Sequence, residues 1–260
     1  MKVVLFCGGF GTRLREHSDV IPKPLVDVGN RPILWHLMKY YAHFGHKDFI
    51  LCLGYKGEMI KKFFLDYDSY LYRDFVMQQG GRALMPSESD IADWTIRFVD
   101  TGLHSNIGER LLKVRHLLEG EEAFLANYSD QLSDFPLPEL IDFHREKNMA
   151  ASFLSARPAH SFHQLEVDDD GLVTRFGPAS ETDHWINGGY MVLNREIFDY
   201  IEEGDELVEA PFARLIAERR LGSMKYTGFW AAMDTFKDKI MFDRMHGRGE
   251  RPWEVWPNGT

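Results

Sequence analysis

The sequence contains little cysteine and carries more negative than positive charge. Its 260 residues include two cysteines, Cys7 and Cys52, which lie in separate apolar segments and form no paired framework. This usage favours a reducing, cytoplasmic setting over a disulfide-stabilised secreted protein. The formal net charge of −10 argues against non-specific binding to nucleic acid, which requires many basic residues to neutralise phosphates.

The sequence also lacks a long apolar run, so it predicts no membrane-spanning helix. The first apolar segment, from Val3 to Cys7, is too short for the core of a signal peptide, and glycines follow it at once. Hydrophobic residues make up 44% and charged residues 27% of the chain, which is typical of a folded globular protein and excludes disorder. We therefore expect a cytoplasmic protein with no membrane partner.

Apolar strands alternate with amphipathic helices through the first half of the chain. The strand segments are KVVLFC, DFILCLG, DWTIRFVDTG and AFLANYSD, and the helical segments between them are RPILWHLMKYYAHFG, KGEMIKKFFLDY and GERLLKVRHLLEG. This alternation predicts βαβ units and a mostly parallel sheet. Ligands of such sheets bind at the carboxyl ends of the strands.

The pattern is looser after Asp134. LPELIDFHREKN and APFARLIAERRLG predict helices, AASFLSARP, INGGYMVLN and MKYTGFW predict strands, and QLEVDDDGLVTRFG predicts a hairpin turning at Asp169, Asp170 and Gly171. No linker or internal repeat divides the sequence. We expect one α/β domain over residues 1–260, with a mixed, mostly parallel sheet flanked by helices and a small antiparallel accessory region.

A glycine-rich loop with two cations downstream follows the first strand. Gly8, Gly9 and Gly11 would let backbone N–H groups approach a phosphate, although a tight turn without a ligand is the alternative. Arg13 can hold phosphate oxygens in a bidentate fork, and Lys23 offers a mobile point charge. The loop matches neither the dinucleotide fingerprint G-x-G-x-x-G nor the Walker A motif.

The combination GGFGTRL…PKPLVDVG resembles the signature of the sugar-1-phosphate nucleotidyltransferases. Further segments are similar to the glucose-1-phosphate cytidylyltransferases of that family: NRPILWHLMKYYAHFGHKDFILCLGYKGEMIKKFF, FVDTG, GERLLKV, INGGYMVLN, GFWAAMDTFKDK and PWEVW. The resemblance covers roughly residues 1 to 256. It implies a Rossmann-like nucleotide-diphospho-sugar transferase fold, with a donor-binding half at about residues 1–134 and an acceptor-binding half at about 135–260.

The resemblance also implies a reaction, in which CMP passes from CTP to a phosphorylated acceptor and pyrophosphate is released. Arg13 would hold the β- and γ-phosphates and Lys23 would neutralise charge at the α-phosphate. The implied nucleotide-binding residues are Gly8, Gly9, Gly11, Thr12, Arg110 and Tyr128. An exposed helix arginine and a core tyrosine are the structural alternatives for Arg110 and Tyr128. The resemblance further implies a homo-oligomer.

Two aspartates are the candidate ligands of Mg²⁺, which prefers one or two carboxylates together with phosphate oxygens and water. Asp130 ends the strand AFLANYSD, where a ligand belongs in such a sheet, and Asp234 lies in AAMDT. The resemblance implies that both bind the metal. The alternatives are that Asp130 caps a turn and that Asp234 caps the helix TFKDKIMFDRM.

The acceptor side departs from the family pattern. Phe176, Gly177 and Pro178 replace the family's Glu-Lys-Pro, whose lysine grips the sugar phosphate, and His163 replaces a glycine. Candidate substitutes for the missing cation are Arg157, Arg175, His163 and His184. The predicted acceptor-binding residues are His163, Gly177, Asn187, Gly188 and Gly189. The acceptor itself stays open between a sugar 1-phosphate and another phosphorylated metabolite.

Two other functions compete with this interpretation. A non-catalytic nucleotide-binding or regulatory protein would have kept the fold after losing the acceptor lysine, but it would not need the retained loop, Lys23, Asp130 and Asp234 together. A dinucleotide-dependent oxidoreductase is suggested only by the glycine-rich turn. It lacks the acidic residue expected after the second strand, where DFILCLG ends in Leu53 and Gly54.

Overall fold

A seven-stranded sheet forms the centre of the protein. The structure, a computed structural model, describes residues 1–9, 21–67, 76–78, 80, 83–85, 89–157, 163–178 and 184–257. The strands of the sheet are β1 (Val3–Phe6), β4 (Asp48–Leu53), β7 (Thr95–Asp100), β8 (Ala123–Asn127), β10 (Ala151–Ala156), β13 (Ile186–Asn194) and β14 (Leu221–Tyr226). Their order is β14-β10-β13-β8-β1-β4-β7, so both halves of the chain build the same sheet.

One strand of this sheet runs against the other six. β1 is parallel to β4 and β8, β4 to β7, and β10 to β14, whereas β13 is antiparallel to both of its neighbours, β8 and β10. The carboxyl ends of six strands therefore share an edge with the amino end of β13. The predicted mixed, mostly parallel sheet is confirmed.

Helices pack on both faces of the sheet. They are α1 (Ile33–His43), α2 (Gly57–Leu65), α3 (Ile107–Val114), α4 (Leu137–Glu146), α5 (Ala210–Ala217) and α6 (Phe236–Gly247). Within the described residues, three 3-10 turns span Lys23–Leu25, Arg115–Leu118 and Arg195–Asp199. The segment GERLLKVRHLLEG, predicted as one helix, is therefore α3 followed by a 3-10 turn. Among the described helices, none is long and apolar enough to cross a membrane.

Four short antiparallel ladders surround the sheet in the part of the chain that the structure describes. They are β2 (Asp27–Val28) with β3 (Arg31–Pro32), β5 (Val76–Gln78) with β6 (Ala83–Met85), β9 (Gln131–Ser133) with β15 (Trp230–Ala232), and β11 (His163–Val167) with β12 (Val173–Pro178). The predicted hairpin is confirmed in β11 and β12, where Asp168 Oδ1 accepts from the N–H groups of Asp170 and Leu172 at 3.1 and 2.9 Å. MKYTGFW, predicted as one strand, is divided between β14 and β15.

The alternation of side chains along the strands builds two cores. Val3 and Leu5 of β1 join the core that contains α1, α4 and Phe242 of α6. Val4 and Phe6 face the other way, into the core formed with α3 and α5. Both faces of β1 are thus buried, as expected for a central strand of an α/β sheet. A ligand can contact this strand at its carboxyl end, where Phe6 and Cys7 line a cavity.

Aromatic packing attaches the C-terminal segment to α1. The rings of Trp253 and Trp256 lie 6.2 and 6.4 Å from the ring of His36, and all three side chains are buried. His36 Nε2 donates to the carbonyl of Val28 at 3.0 Å. Burial lowers the pKa of His36 to about 3, so this ring is neutral at physiological pH.

We expect His36 to make the fold acid-labile. The unfolded chain protonates this histidine near pH 6.5 and the folded chain only near pH 3. The stabilisation is therefore complete above pH 6.5 and is lost as pH falls toward 3, with a slope of up to about 1.4 kcal/mol per pH unit. His36→Gln keeps a donor for Val28 and should flatten this slope in urea unfolding between pH 4.5 and 7.

His116→Gln is the matched control, because His116 is exposed on the 3-10 turn that follows α3. It should unfold with the pH dependence of the unmodified protein. Parallel stability curves for His36→Gln and the unmodified protein would contradict the assignment.

Candidate active site

A cavity of about 600 Å³ opens at the carboxyl edge of the sheet. Its walls come from the ends of β1 and β8 and from loops around the starts of α3, α5 and α6. The lining residues are Phe6, Cys7, Gly8, Gly9, Lys23, Pro24, Leu103, His104, Ser105, Asn106, Ile107, Arg110, Tyr128, Asp130, Gln131, Glu206 and Asp234. The cavity lies where parallel strands were expected to bind a ligand.

Lys23 lies between the two predicted metal-binding aspartates. Its Nζ donates to Asp130 Oδ2 at 2.5 Å and to Asp234 Oδ1 at 2.7 Å. Lys23 begins a 3-10 turn, Asp130 lies between β8 and β9, and Asp234 lies between β15 and α6. The fold therefore brings together three residues that the sequence separates widely.

The electrostatics of this cluster keep Lys23 charged. Burial lowers the pKa of Lys23, but the carboxylates of Asp130 and Asp234 outweigh that effect and raise it. Burial raises the pKa of the Asp130 carboxyl, and the Lys23 ammonium opposes this shift. An ammonium shared by two carboxylates offsets much of the cost of removing them from water.

The helix cap beside Asp234 is a different residue. Thr235 is the N-cap of α6: its Oγ1 accepts from the N–H of Asp238, and Asp238 Oδ2 accepts from the N–H of Thr235 at 2.8 Å. The alternative in which Asp234 caps this helix is therefore wrong. Thr235 and Asp238 accept from the N–H groups at the start of α6, so the helix does not use the Asp234 carboxylate as its cap. That carboxylate accepts from Lys23 instead.

The oxygen atoms of this cluster fit a hard divalent cation. Asp130 Oδ1 is buried and has no hydrogen-bond partner within the part of the chain that the structure describes. Over the same residues, no group of three histidine, cysteine, aspartate or glutamate side chains could hold a metal. Asp130 and Asp234 offer carboxylate oxygens, the ligand type that Mg²⁺ takes from proteins together with water and substrate phosphates.

Arg110 ties three strand ends together. Its Nη2 donates to the carbonyl of Gly8 at 3.1 Å, and its Nη1 donates to the carbonyls of Leu53 and Gly102 and to Thr101 Oγ1 at 2.7 to 3.1 Å. The residue is 3% exposed, so the alternative of an exposed helix arginine is wrong. Its predicted contact with a nucleotide stays a prediction.

Gly8 is a glycine because Arg110 occupies the space of a side chain. A Cβ at Gly8 would lie 2.1 Å from Arg110 Nη1, whereas one at Gly9 would meet no atom of the described residues within 4 Å. Gly54 is constrained in the same way, by the carbonyl of Gly8 at 2.7 Å and by Arg110 at 2.9 Å. Gly8 is thus required for the packing of Arg110 against the backbone, whereas Gly9 lines the cavity.

Asn187 borders the cavity through Tyr128. Its Nδ2 donates to the hydroxyl of Tyr128 at 3.3 Å, and its Oδ1 accepts from the N–H of Gly189 at 2.9 Å. The carbonyl of Gly188 accepts from Trp230 Nε1 at 2.8 Å. Gly189 has a φ of +77°, and a Cβ there would collide with Gln131. Tyr128 is half-buried and lines the cavity, so it is not purely a core residue.

The remaining predicted residues lie elsewhere. His163 and Gly177 belong to the β11–β12 ladder, where His163 pairs with Pro178 and Gly177 with Gln164. Neither is among the described residues that line the cavity. The predicted sites at residues 11 to 13, Gly11, Thr12 and Arg13, lie outside the described residues.

Sequence reasoning missed Gln131 and Glu206. Glu206 Oε2 accepts from the N–H of Ile107, the first residue of α3, at 3.2 Å. Asn106 and Glu109 form a capping box at the same helix end. The N-terminus of α3, where the helix dipole favours negative charge, is therefore already occupied by protein carboxylates. The capping box could have been read from the spacing of Asn106 and Glu109, but nothing near Glu206 signals its distant partner.

Comparison with known proteins identifies the family. The family model described as nucleotidyl transferase matches residues 2–231. The chain belongs to this family. The nucleotidyltransferase is 37% identical over 259 residues to the probable glucose-1-phosphate cytidylyltransferase of Bacillus subtilis (strain 168), covering 98% of this chain and 100% of that protein. Glucose-1-phosphate cytidylyltransferase of Salmonella typhi is 36% identical over 258 residues, with the same coverage.

Solved structures show the same fold. A putative glucose-1-phosphate thymidylyltransferase from Bacillus anthracis superposes with a TM-score of 0.66 at 14% identity, covering 94% of both chains. A UDP-glucose pyrophosphorylase superposes with a TM-score of 0.68 at 14% identity, covering 95% of this chain and 98% of the other. The expected Rossmann-like nucleotidyltransferase fold is confirmed, and so is the resemblance to the cytidylyltransferases.

We expect Gly8→Ala to destabilise the nucleotidyltransferase because the new methyl group would overlap the Arg110 guanidinium. Overpacking of this kind costs about 1–3 kcal/mol. Gly9→Ala should change the free energy of unfolding by less than about 0.5 kcal/mol, since its Cβ would contact none of the described residues. Urea unfolding of both variants measures the difference. Equal effects of the two substitutions would show that Arg110 moves aside without cost.

Proposed function

We propose that the protein transfers CMP from CTP to a phosphorylated acceptor in a Mg²⁺-dependent reaction that releases pyrophosphate. The observation that carries the proposal is the Lys23 ammonium held between Asp130 and Asp234 beside the glycine loop. The relatives named glucose-1-phosphate cytidylyltransferase support CTP as the donor and a sugar 1-phosphate as the acceptor class.

The chemistry requires little beyond positioning and charge. An oxygen of the acceptor phosphate attacks the α-phosphorus of CTP, and the bond to the β-phosphate breaks as pyrophosphate leaves. A phosphate monoester is already an anion near neutral pH, so no general base is needed. Lys23 would neutralise negative charge around the α-phosphate. Asp130 and Asp234 would hold Mg²⁺, which when bound neutralises charge on the phosphates.

Arg110 would act as a positioning residue for the glycine loop. Its guanidinium holds the carbonyl of Gly8, which points into the protein. Because the peptide is planar and trans, the N–H of Gly9 points in the opposite direction. Gly9 is exposed and lines the cavity, and its N–H has no hydrogen-bond acceptor among the described residues, so this N–H would donate to a phosphate oxygen.

A pyrophosphate-release assay with CTP, Mg²⁺ and a panel of sugar 1-phosphates and other phosphorylated metabolites tests the proposal. We expect Lys23→Ala and Asp130→Asn each to lower kcat/KM by about 100-fold or more, as for removal of one electrostatic contact to a transition state. Lys61→Ala and Asp170→Asn change exposed residues and should be neutral. Tight binding of CTP and Mg²⁺ without turnover of any acceptor would favour the non-catalytic alternative. Pyrophosphate release with UTP but not with CTP would show that UTP is the donor.

A second prediction concerns competition between Lys23 and a divalent cation. The ammonium occupies the position between two carboxylates that a cation would take, so Lys23→Met should tighten Mg²⁺ binding by about tenfold while removing activity. Calorimetry without nucleotide measures this affinity, with Lys61→Met as the control for general loss of positive charge. Unchanged affinity in Lys23→Met would place the cation away from Asp130 and Asp234.

A further inference from the structure

Gln131 brings an amide without a hydrogen-bond partner to the wall of the active-site cavity. The residue follows Asp130, begins β9 and is 7% exposed. Its Oε1 is buried and has no partner among the described residues, and its Nε2 makes no hydrogen bond with them either. Buried polar atoms are nearly always paired in proteins, because an unmade hydrogen bond leaves the full cost of removing the group from water. The amide is therefore an unused recognition group.

The surroundings of Gln131 fix its side chain in this position. The residue pairs with Ala232 in the β9–β15 ladder, and its carbonyl accepts from the hydroxyl of Tyr190 at 3.3 Å. A Cβ at Gly189 would lie 1.6 Å from Gln131 Oε1, so the amide fills the space that a side chain at Gly189 would take. The amide thus packs against the backbone of β13 while the residue lines the cavity.

The neighbouring amide, that of Asn187, is already paired. Asn187 Oδ1 accepts from the N–H of Gly189, and Asn187 Nδ2 donates to the hydroxyl of Tyr128. The terminal torsion of a glutamine is broad and roughly two-fold, so the Gln131 amide can turn either its oxygen or its nitrogen toward a ligand. Of these two amides, that of Gln131 is the one whose groups remain for a ligand to pair.

The order of the strands places Gln131 on the acceptor side of the cavity. β1 and β13 are the two neighbours of β8 and lie on opposite sides of it. Gly9 follows β1, whereas the Gln131 amide packs on Gly189 of β13, and Asp130 follows β8 between them. The acceptor attacks the α-phosphorus in line with the leaving pyrophosphate, from the opposite side. A triphosphate at the glycine loop therefore leaves the β13 side, with Gln131, to the acceptor.

We propose that Gln131 recognises a hydroxyl group of the acceptor beside its reacting phosphate. Lys23, Asp130 and Asp234 supply the charges that phosphates and a cation require. A neutral amide instead suits a neutral group that both donates and accepts a hydrogen bond, which is the chemistry of a sugar hydroxyl. Gln131 is thus a specificity-determining residue. This inference rests on the proposed function, since it assumes a phosphorylated sugar as the acceptor.

Acceptor kinetics at saturating CTP and Mg²⁺ test the role of Gln131. Gln131→Met keeps an unbranched side chain of similar length and removes the oxygen and the N–H groups. We expect it to raise the KM for glucose 1-phosphate about three- to tenfold, as for loss of one uncharged hydrogen bond, and to leave the KM for CTP unchanged. Lys61→Met changes an exposed residue of α2 and is the control, which should leave both KM values unchanged.

Analogues of glucose 1-phosphate that each lack one hydroxyl separate recognition from a structural role. The unmodified protein should discriminate against the analogue without the recognised hydroxyl, and Gln131→Met should lose that discrimination, because the hydrogen bond is then absent with either acceptor. A structural role would raise the KM values of all acceptors alike. Such a uniform rise, unchanged acceptor KM values, or a rise confined to CTP would overturn the proposal.

Gln131→Glu keeps the proposal testable if Gln131→Met lowers the melting temperature. Glutamate has nearly the shape of glutamine but lacks the N–H donors and adds a negative charge next to Asp130. We expect the KM for glucose 1-phosphate to rise at least about tenfold, since the new carboxylate also repels the acceptor phosphate. A KM for this acceptor equal to that of the unmodified protein would contradict the assignment.

Failure of the proposed function is read separately. If the unmodified protein releases no pyrophosphate with any acceptor, calorimetric binding of glucose 1-phosphate in the presence of CTP and Mg²⁺ still decides the role of Gln131. Binding that Gln131→Met weakens at least about threefold, and that Lys61→Met does not, supports it. Binding that is absent, or that Gln131→Met leaves unaffected, overturns it.

Discussion

The contact of Lys23 with Asp130 and Asp234 is the interaction on which the site depends. Two carboxylates facing the same point repel each other, and a half-buried pair would resist ionisation unless a cation lay between them. Lys23 supplies that cation at 2.5 and 2.7 Å. The contact also draws together the 3-10 turn, the β8–β9 junction and the start of α6. The Lys23 ammonium thus offsets part of the negative charge that the two carboxylates bring to the cavity.

Arg110 links backbone segments around the cavity, as Lys23 links the two carboxylates. It links the ends of β1, β4 and β7 through carbonyl and hydroxyl acceptors, and two glycines, Gly8 and Gly54, provide the room it needs. The guanidinium of Arg110 therefore fixes the backbone at Gly8, just after β1, by donating to its carbonyl. A rigid support matters because backbone donors bind an anion well only when they need no reorganisation.

The antiparallel strand β13 lies between β8, which borders the cavity, and β10. Because β13 is antiparallel to β8 and β10, its amino end reaches the edge formed by the carboxyl ends of the other strands. This places Asn187 beside Tyr128 and Trp185 beside Arg157. Both halves of the chain line the cavity: Lys23 and Asp130 come from the first half, and Glu206 and Asp234 come from the second. Side chains from β10, β13 and β14 thus lie at the same edge of the sheet as the cavity.

The sequence by itself determined most of the element types, the mostly parallel sheet and the family, and it singled out Lys23, Asp130 and Asp234 as candidate site residues. These are set by local periodicity and by contiguous motifs such as the glycine loop and the Lys-Pro pair. Only the tertiary structure decided that Lys23 bridges both aspartates, that Thr235 rather than Asp234 caps α6, and that Arg110 is buried. It also decided that Glu206 meets α3 and that the Gln131 amide packs against Gly189. Each of these contacts joins residues far apart in the chain, so their distance depends on strand order and direction, which periodicity does not encode.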